Sequence, residues 1–198
     1  MRGGGENGDE WHRAGKGLTK PNTWKDFIAC AEYLIRERYT STAYLGTGTS
    51  AGGIMIGRAI TERPDLFRAA VPRVGVMNML RAEHEPGGPA NIPEFGSTTT
   101  EEGFRGLYEM DPLQHVRPGT AYPAVLLTTG VEDSRVEPWQ PAKFGAAMQE
   151  ATTSGRPVLL RVELDAGHGM GLTKRQRVEE TADIYSFLLW QFGDRPAS

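Results

Sequence analysis

One short turn restricts the possible folds of this chain more than any other part of its sequence. Residues 48–53 read G-x-S-x-G-G, with Ser50 at the centre. The turn lies between a β-favouring run at 43–47 and apolar residues at helical spacing from 54 to 60. A strand, a sharp turn and a helix in this order hold a serine in a strained backbone conformation with its hydroxyl exposed. The pattern therefore predicts a strand-to-helix junction in an α/β protein.

The glycines of this turn lack Cβ atoms, which allows the backbone around Ser50 to pack closely against its neighbours. A Cβ at Gly48 or Gly52 is expected to collide with the neighbouring strand or helix. The hydroxyl of Ser50 would then stand at the end of the strand, and the N–H of Ala51 could point at an oxyanion. Because G-x-S-x-G is a short pattern, the alternative is an ordinary Gly/Ser-rich loop.

Strand-like and helix-like segments alternate along the chain. Strands are predicted at 43–47, 69–76, 122–129 and 157–164, and helices at 24–38, 51–63, 141–153 and 173–192. Residues 1–23 and most of 81–120 resemble loops, with one short helix near 100–109. Alternation of this kind is typical of the α/β class, with a parallel sheet covered by helices on both faces. In such sheets the active site gathers at the carboxyl ends of the strands.

Helical spacing also predicts which side chains face the core. The helix at 24–38 is expected to begin after Thr23 and to bury Phe27, Ala31, Leu34 and Ile35, with Cys30 as a small core residue beside them. The helix at 141–153 is expected to turn Phe144, Met148 and Ala151 inward. The last helix is expected to use Val178, Ala182, Tyr185, Leu188 and Leu189.

Composition excludes several classes of function. The chain has 198 residues, enough for one domain with its own core. A net charge of −3 without charge runs speaks against nucleic acid as a partner. No apolar segment approaches the roughly 20 residues of a membrane span, and residues 1–6 lack the apolar core of a signal peptide, which favours the cytoplasm. With one cysteine and no H-E-x-x-H pattern, we expect no metal and no cofactor.

Candidate acid and base residues follow two later predicted strands. Asp133 comes soon after the strand at 122–129, and His168 soon after the strand at 157–164. Since the carboxyl ends of parallel strands meet at one edge of a sheet, both are expected to lie close to Ser50. The order Ser, Asp, His along the chain is that of the α/β-hydrolases. The histidine would take the serine proton, and the carboxylate would orient the imidazole.

Other residues compete for these two roles. Glu132 and Asp165 are alternatives for the acid, and His12, His84 and His115 are alternatives for the base. A single Asp in a loop is usually a turn residue, and a single His is usually structural. Spacing alone does not choose among them.

Eight short motifs run in one order over nearly the whole chain. They are RGGGE at 2–6, WH at 11–12, AEYLI at 31–35, GTSAGG at 48–53, RPDLF at 63–67, VGVM at 74–77, DSRV at 133–136 and AGHG at 166–169. Together they resemble the catalytic domain of the prolyl oligopeptidase family of serine peptidases, which has the α/β-hydrolase fold.

The resemblance implies roles for particular residues. It implies Ser50 as nucleophile, His168 as general base and then acid, and Asp133 as the orienting carboxylate. It implies that Arg135 binds a backbone carbonyl of a short peptide substrate and that the N–H of Ala51 is one oxyanion donor. The pocket for the residue before the scissile bond would be lined by Val76, Phe95 and Val136.

Two departures from the family pattern affect these expectations. Asn91 stands where prolyl oligopeptidase itself has a tryptophan that stacks on the substrate proline. The family's first strands, a second oxyanion donor and a gating β-propeller would all precede residue 1. Residues 1–198 are therefore interpreted as one partial catalytic domain.

Three functions stay open on the sequence alone. The first is a serine peptidase that acts on short peptides, the second is an esterase with the same three side chains, and the third is a weak or inactive remnant. Without the upstream strands, the strand at 43–47 would form a sheet edge. Unpaired edges associate with other chains, so the chain is expected to self-associate or to need an N-terminal segment.

Overall fold

A computed structural model describes residues 1–41, 44–169 and 172–193. Its sheet has four parallel strands in the order β1-β2-β3-β4. The strands are β1 (Tyr44–Thr49), β2 (Phe67–Arg73), β3 (Ala124–Gly130) and β4 (Val158–Glu163). All four lie within three residues of the positions that the sequence predicts, and residue 43 lies outside the described residues. The parallel sheet of an α/β protein is confirmed.

The second strand differs most from its predicted position. It begins at Phe67 and ends at Arg73, whereas the sequence predicts 69–76. The strand ends there because Val74 has a positive φ of 39°, which turns the chain away from the extended direction. This early end frees Val76 to contact the turn around Ser50.

Eight helices connect and cover these strands in the described part of the chain. They are α1 (Asp9–Arg13), α2 (Pro21–Arg36), α3 (Gly52–Glu62), α4 (Met79–Ala82), α5 (Ile92–Phe95), α6 (Glu101–Met110), α7 (Trp139–Ala151) and α8 (Lys174–Phe192). The expectation that 1–23 is a loop is wrong, because α1 lies there and α2 begins at Pro21. Proline is favoured at the first helical position, while Thr23 instead donates its hydroxyl proton to the Arg2 carbonyl.

Helices cover both faces of the sheet. Helices α2, α3 and α7 share one core with β2 and β3, and this core contains Trp24, Ile56, Phe67, Leu127 and Phe144. On the other face, Phe187 of α8 packs against apolar side chains of β2 and β3. As predicted, Phe144, Met148 and Ala151 of α7 are buried.

Two predicted helix faces need correction. Helix α2 buries Trp24, Ile28 and Ala31, which turns Cys30 to the outside, so Cys30 is an exposed thiol and not a core residue. In α8 the predicted residues Val178, Ala182, Tyr185 and Leu189 are exposed, while Phe187, Glu180 and Gln191 are buried and Leu188 is partly buried. The face is rotated because polar bonds attach α8 to the sheet: Arg73 binds Glu180, and Arg161 binds Asp183.

The sheet of the described residues has β1 at one edge and β4 at the other. The outer side of β1 therefore presents backbone N–H and C=O groups within the described sheet, as the sequence predicts. Self-association of the 198-residue chain stays a prediction. Sedimentation velocity on the purified chain tests it, and a monodisperse monomer would contradict it.

Residues 1–41, 44–169 and 172–193 lack two features. No helix in these ranges combines the length and apolar character needed to cross a membrane. The same residues contain no group of three or more His, Cys, Asp or Glu side chains that could hold a metal ion.

Candidate active site

Ser50 lies in the turn between β1 and α3 with a backbone conformation that is rare for a serine. Its φ is +56°, in the left-handed region. Its N–H donates to the carbonyl of Arg73 at 2.9 Å, and its own carbonyl accepts from the N–H groups of Gly53 at 2.8 Å and Val76 at 3.0 Å. These bonds tie the strained turn to the end of β2, so the position of the hydroxyl is fixed by the sheet.

Close contacts at two glycines make this turn possible. A Cβ at Gly48 would lie 2.3 Å from the carbonyl oxygen of Gly52, and a Cβ at Gly53 would lie 2.6 Å from the Cα of Gly75. A Cβ at Gly52 meets no heavy atom within 4 Å. The collision expected at Gly48 is thus confirmed. The collision expected at Gly52 is wrong, because Gly52 is the first residue of α3 and has open space where its Cβ would lie. The second crowded position is Gly53.

The structure brings Ser50, His168 and Asp133 together. The Nε2 of His168 lies 2.8 Å from Ser50 Oγ, and its Nδ1 lies 2.8 Å from Asp133 Oδ2. The Asp133 side chain is fully buried, and the His168 side chain is 8% exposed. The other carboxylate oxygen of Asp133 accepts from the N–H groups of Arg135 and Val136, both at 2.9 Å. Asp133 is therefore held by the backbone of its own loop while it binds the imidazole.

The loops that carry Asp133 and His168 are also joined by their backbones. A Cβ at Gly130, the last residue of β3, would lie 2.1 Å from the carbonyl oxygen of Ala166. The same carbonyl accepts a hydrogen bond from the N–H of Glu132 at 3.0 Å. This close approach sets the spacing of the acid and the base, and no sequence motif reveals it.

Ala51 lies exposed directly before the first residue of α3. Among the residues that the structure describes, its N–H has no hydrogen-bond partner. A free N–H at a helix N-terminus favours a negative charge. The position suits an oxyanion donor beside Ser50.

The competing acids and bases lie in other environments. Glu132 and Asp165 are exposed. His12 Nε2 is 2.8 Å from Glu94, and His84 is exposed next to Glu83. His115 binds the carbonyl of Asp111 through Nδ1, and burial lowers the pKa of its imidazole. None of these histidines contacts Ser50 in the described part of the chain.

A pocket opens beside this site. Of the residues expected to bind substrate, Val76, Asn91, Phe95 and Arg135 all line it. Val136 lies outside the lining, where it is buried at 3% exposure and donates its N–H to Asp133. The pocket wall also contains Met79, Ala82, Glu83, Glu85, Leu107 and Gln140, which no motif in the sequence marks.

A buried carboxyl group supports one wall of this pocket. Asp111 accepts hydrogen bonds from the N–H groups of Leu80 at 3.0 Å and Gln114 at 3.3 Å. Burial raises the pKa of Asp111 to about 6. Because Leu80 belongs to α4, this carboxyl group holds the helix that presents Met79 to the pocket.

Comparison with known proteins identifies the group to which this arrangement belongs. The sequence profile described as "Prolyl oligopeptidase family" matches residues 1–195. The chain belongs to the prolyl oligopeptidase family. Its fold is accordingly that of the α/β-hydrolase catalytic domain in this family of serine peptidases, as the resemblance implies.

Individual members of the prolyl oligopeptidase family are similar over almost the whole chain. The prolyl endopeptidase of Elizabethkingia meningoseptica is 40% identical over 195 residues, which cover 98% of this chain and 28% of that protein. The dual-function macrocyclase-peptidase of Galerina marginata is 36% identical over 197 residues, covering 98% and 27%. The chain thus spans about 28% of the length of the curated relatives that it matches.

Solved structures of the prolyl oligopeptidase family agree with this fold. A prolyl endopeptidase structure matches with a TM-score of 0.95 and 39% identity, covering 98% of this chain and 29% of the solved one. Oligopeptidase B from Leishmania major matches with a TM-score of 0.93 and 30% identity, covering 98% and 28%.

Proposed function

We propose that this chain is the catalytic part of a serine peptidase that hydrolyses short peptides through an acyl-enzyme. The observation that carries the proposal is the pair of 2.8 Å hydrogen bonds that joins Ser50 to His168 and His168 to Asp133. Members of the family supply further support, because three relatives that are 39–42% identical to this chain are named prolyl endopeptidases.

In this proposal the three side chains act in two half-reactions. His168 Nε2 takes the proton of Ser50 as the hydroxyl oxygen attacks the scissile carbonyl, and Asp133 stabilises the imidazolium. The N–H of Ala51 stabilises the oxyanion of the tetrahedral intermediate. His168 then gives its proton to the leaving amine, and water hydrolyses the ester on Ser50 by the same steps.

Solved variants of the Galerina protein support these roles by analogy. Structures with bound macrocyclization substrates have alanine in place of one serine, one histidine or one aspartate. These are the residue types that meet in the present site. The peptide substrates of that protein also favour a peptide ligand here.

Two other functions remain candidates. An esterase could use the same Ser50 and His168, and a remnant could keep the side chains without a complete oxyanion site. Arg135 favours the peptidase, because an exposed guanidinium near Asp133 suits a peptide carbonyl and an ester pocket has less need of it.

A pair of substrates separates the three candidates. A peptidase turns over both a short peptide amide and a simple activated ester, and Ser50→Ala removes both activities. An esterase turns over the ester alone. A folded chain that turns over neither substrate supports the remnant and rejects the peptidase.

We expect Arg135→Ala to weaken peptide turnover selectively. Loss of a hydrogen bond from a charged group costs about 1.5–3 kcal/mol, so kcat/KM for a peptide should fall about 10–150-fold. Turnover of a small activated ester, which has no second carbonyl to bind, should change much less. Equal losses on both substrates would reject carbonyl binding by Arg135 and would indicate a solvated loop residue.

A further inference from the structure

The pocket beside Ser50 contains two glutamates whose environments differ. The carboxylate of Glu83 accepts hydrogen bonds from Ser97 Oγ at 2.6 Å and from the N–H of Thr98 at 2.7 Å, and Thr98 also donates its hydroxyl proton. Burial alone would raise the pKa of Glu83, but these hydrogen bonds lower it. Glu83 is thus fully used in holding the loop that follows α5.

Glu85 has far fewer partners. It is 5% exposed, and its Oε1 accepts one hydrogen bond, at 2.6 Å, from the Nε2 of Gln140. Burial raises the pKa of Glu85, hydrogen bonds from Gln140 and from the backbone of Glu137 oppose this shift, and the nearby carboxylates of Glu137 and Asp133 add to it. Within the described ranges Glu85 makes no ion pair. A buried carboxyl group without a counter-charge would be stabilised by a cation that enters the pocket.

Gln140 keeps Glu85 in this acceptor role. The Oε1 of Gln140 accepts from the N–H groups of Met77 and Asn78, both at 2.9 Å. Its amide is therefore fixed with the NH₂ group toward Glu85, and the side chain is fully buried. Arg135 lines the same pocket but forms no ion pair with Glu85 in the described structure, so the charge of Glu85 remains available.

The rest of the pocket suits the stem of a long side chain. Val76, Met79, Phe95 and Leu107 supply apolar surface. Asn91 offers no flat aromatic face on which a proline ring could stack. A lysine or arginine places its methylene groups on apolar surface and its charge on a polar partner.

We propose that this pocket takes a lysine or arginine side chain of the substrate, from the residue before the scissile bond, with Glu85 as the partner of its charge. This inference rests on the proposed peptidase function. Glu85 is a specificity-determining residue in this assignment, and it takes no part in the bond-breaking steps.

Two substrates that differ by one ammonium group provide the test. They are matched acyl dipeptide aminocoumarins with lysine or norleucine before the scissile bond, and a third carries proline. We expect wild-type kcat/KM to favour lysine over norleucine by about 10–150-fold, the range for a hydrogen bond to a charged group. Glu85→Gln keeps the shape and removes the charge, so its ratio should approach one. Glu150→Gln removes the same charge from an exposed position on α7 and should keep the wild-type ratio.

Three results would overturn the assignment of Glu85. A wild-type ratio near one, a clear preference for proline over lysine, or a ratio that Glu85→Gln leaves unchanged would overturn the assignment. The wild-type ratio needs no variant, so a poorly folded Glu85→Gln does not prevent a decision.

A binding measurement separates this inference from the proposed function. If no peptide is turned over, the proposed function fails, and calorimetry with Ser50→Ala then decides the specificity. The ligands are the acyl dipeptide amides that end in lysine or norleucine. Tighter binding of the lysine ligand supports the role of Glu85, and equal binding overturns it.

Discussion

A fluorophosphonate probe should label Ser50, and His168→Ala should lower the labelling rate by about 10⁴-fold or more. The reason is the 2.8 Å contact between His168 Nε2 and Ser50 Oγ, which makes the imidazole the acceptor of the hydroxyl proton. Removal of one member of a Ser-His-Asp arrangement typically costs about 10⁴–10⁶ in rate. Mass spectrometry of the labelled peptide identifies the serine, and gel fluorescence over time gives the rate.

Two further variants sharpen this result. Asp133→Asn should also lower labelling by about 10⁴-fold, because an amide in that position selects the wrong imidazole tautomer. His84→Ala removes an exposed histidine and should label at the wild-type rate. Labelling of another serine, or equal rates in wild type and His168→Ala, would reject the assigned roles.

Alanine at Gly48 should lower the Tm and the labelling rate, whereas alanine at Gly52 should not. In Gly48→Ala the new Cβ would lie 2.3 Å from the Gly52 carbonyl oxygen and 2.9 Å from Ile56, so either the strand or α3 must move. Overpacking costs about 1–3 kcal/mol, which corresponds to a fall in Tm of about 2–12 °C in a domain of this size. Because Ser50 would move with the turn, fluorophosphonate labelling should fall by about 10²-fold or more.

The matched control is Gly52→Ala. Its Cβ meets no heavy atom within 4 Å, and alanine in place of an unstrained glycine stabilises a protein by about 0.4–1 kcal/mol by restricting the unfolded chain. We expect an unchanged or higher Tm and labelling close to wild type. Thermal unfolding followed by circular dichroism measures both variants. Equal Tm values for the two would show that the contact between β1 and α3 is not as close as the structure has it.

Much of the sheet could be predicted from the sequence because apolar runs with clear ends specify strands. The run at 122–129 became β3, and the residues after it supplied Asp133 next to His168. That pairing followed from parallel strands ending at one edge, together with the Ser, Asp, His order along the chain. The strand pattern of the sequence was therefore enough to predict that Asp133 and His168 lie together.

Helix orientation was predicted less well, since it depends on partners that are distant in sequence. Helix α8 has apolar residues on more than one side, and the bonds from Arg68, Arg73 and Arg161, together with the packing of Phe187, determine which side meets the sheet. Helical spacing likewise predicts a buried Cys30, whereas the structure buries Trp24, Ile28 and Ala31 on that helix and exposes the thiol. Periodicity alone cannot choose between such faces.

The pocket wall was the least predictable part. The same pocket is lined by Val76, Glu83, Glu85 and Gln140, which come from separate parts of the sequence. These residues are held in place by single hydrogen bonds, for example from the N–H of Met77 to Gln140. Such bonds leave no periodic pattern in a sequence.

Ser50 and His168 are 118 residues apart in the chain, although their side chains touch. At a synthesis rate of about 5–20 residues per second, the ribosome adds His168 about 6–24 s after Ser50. During that interval the serine has no imidazole to accept its proton. A growing chain with this layout therefore carries the Ser50 hydroxyl without its imidazole partner until β4 and the loop after it have been made.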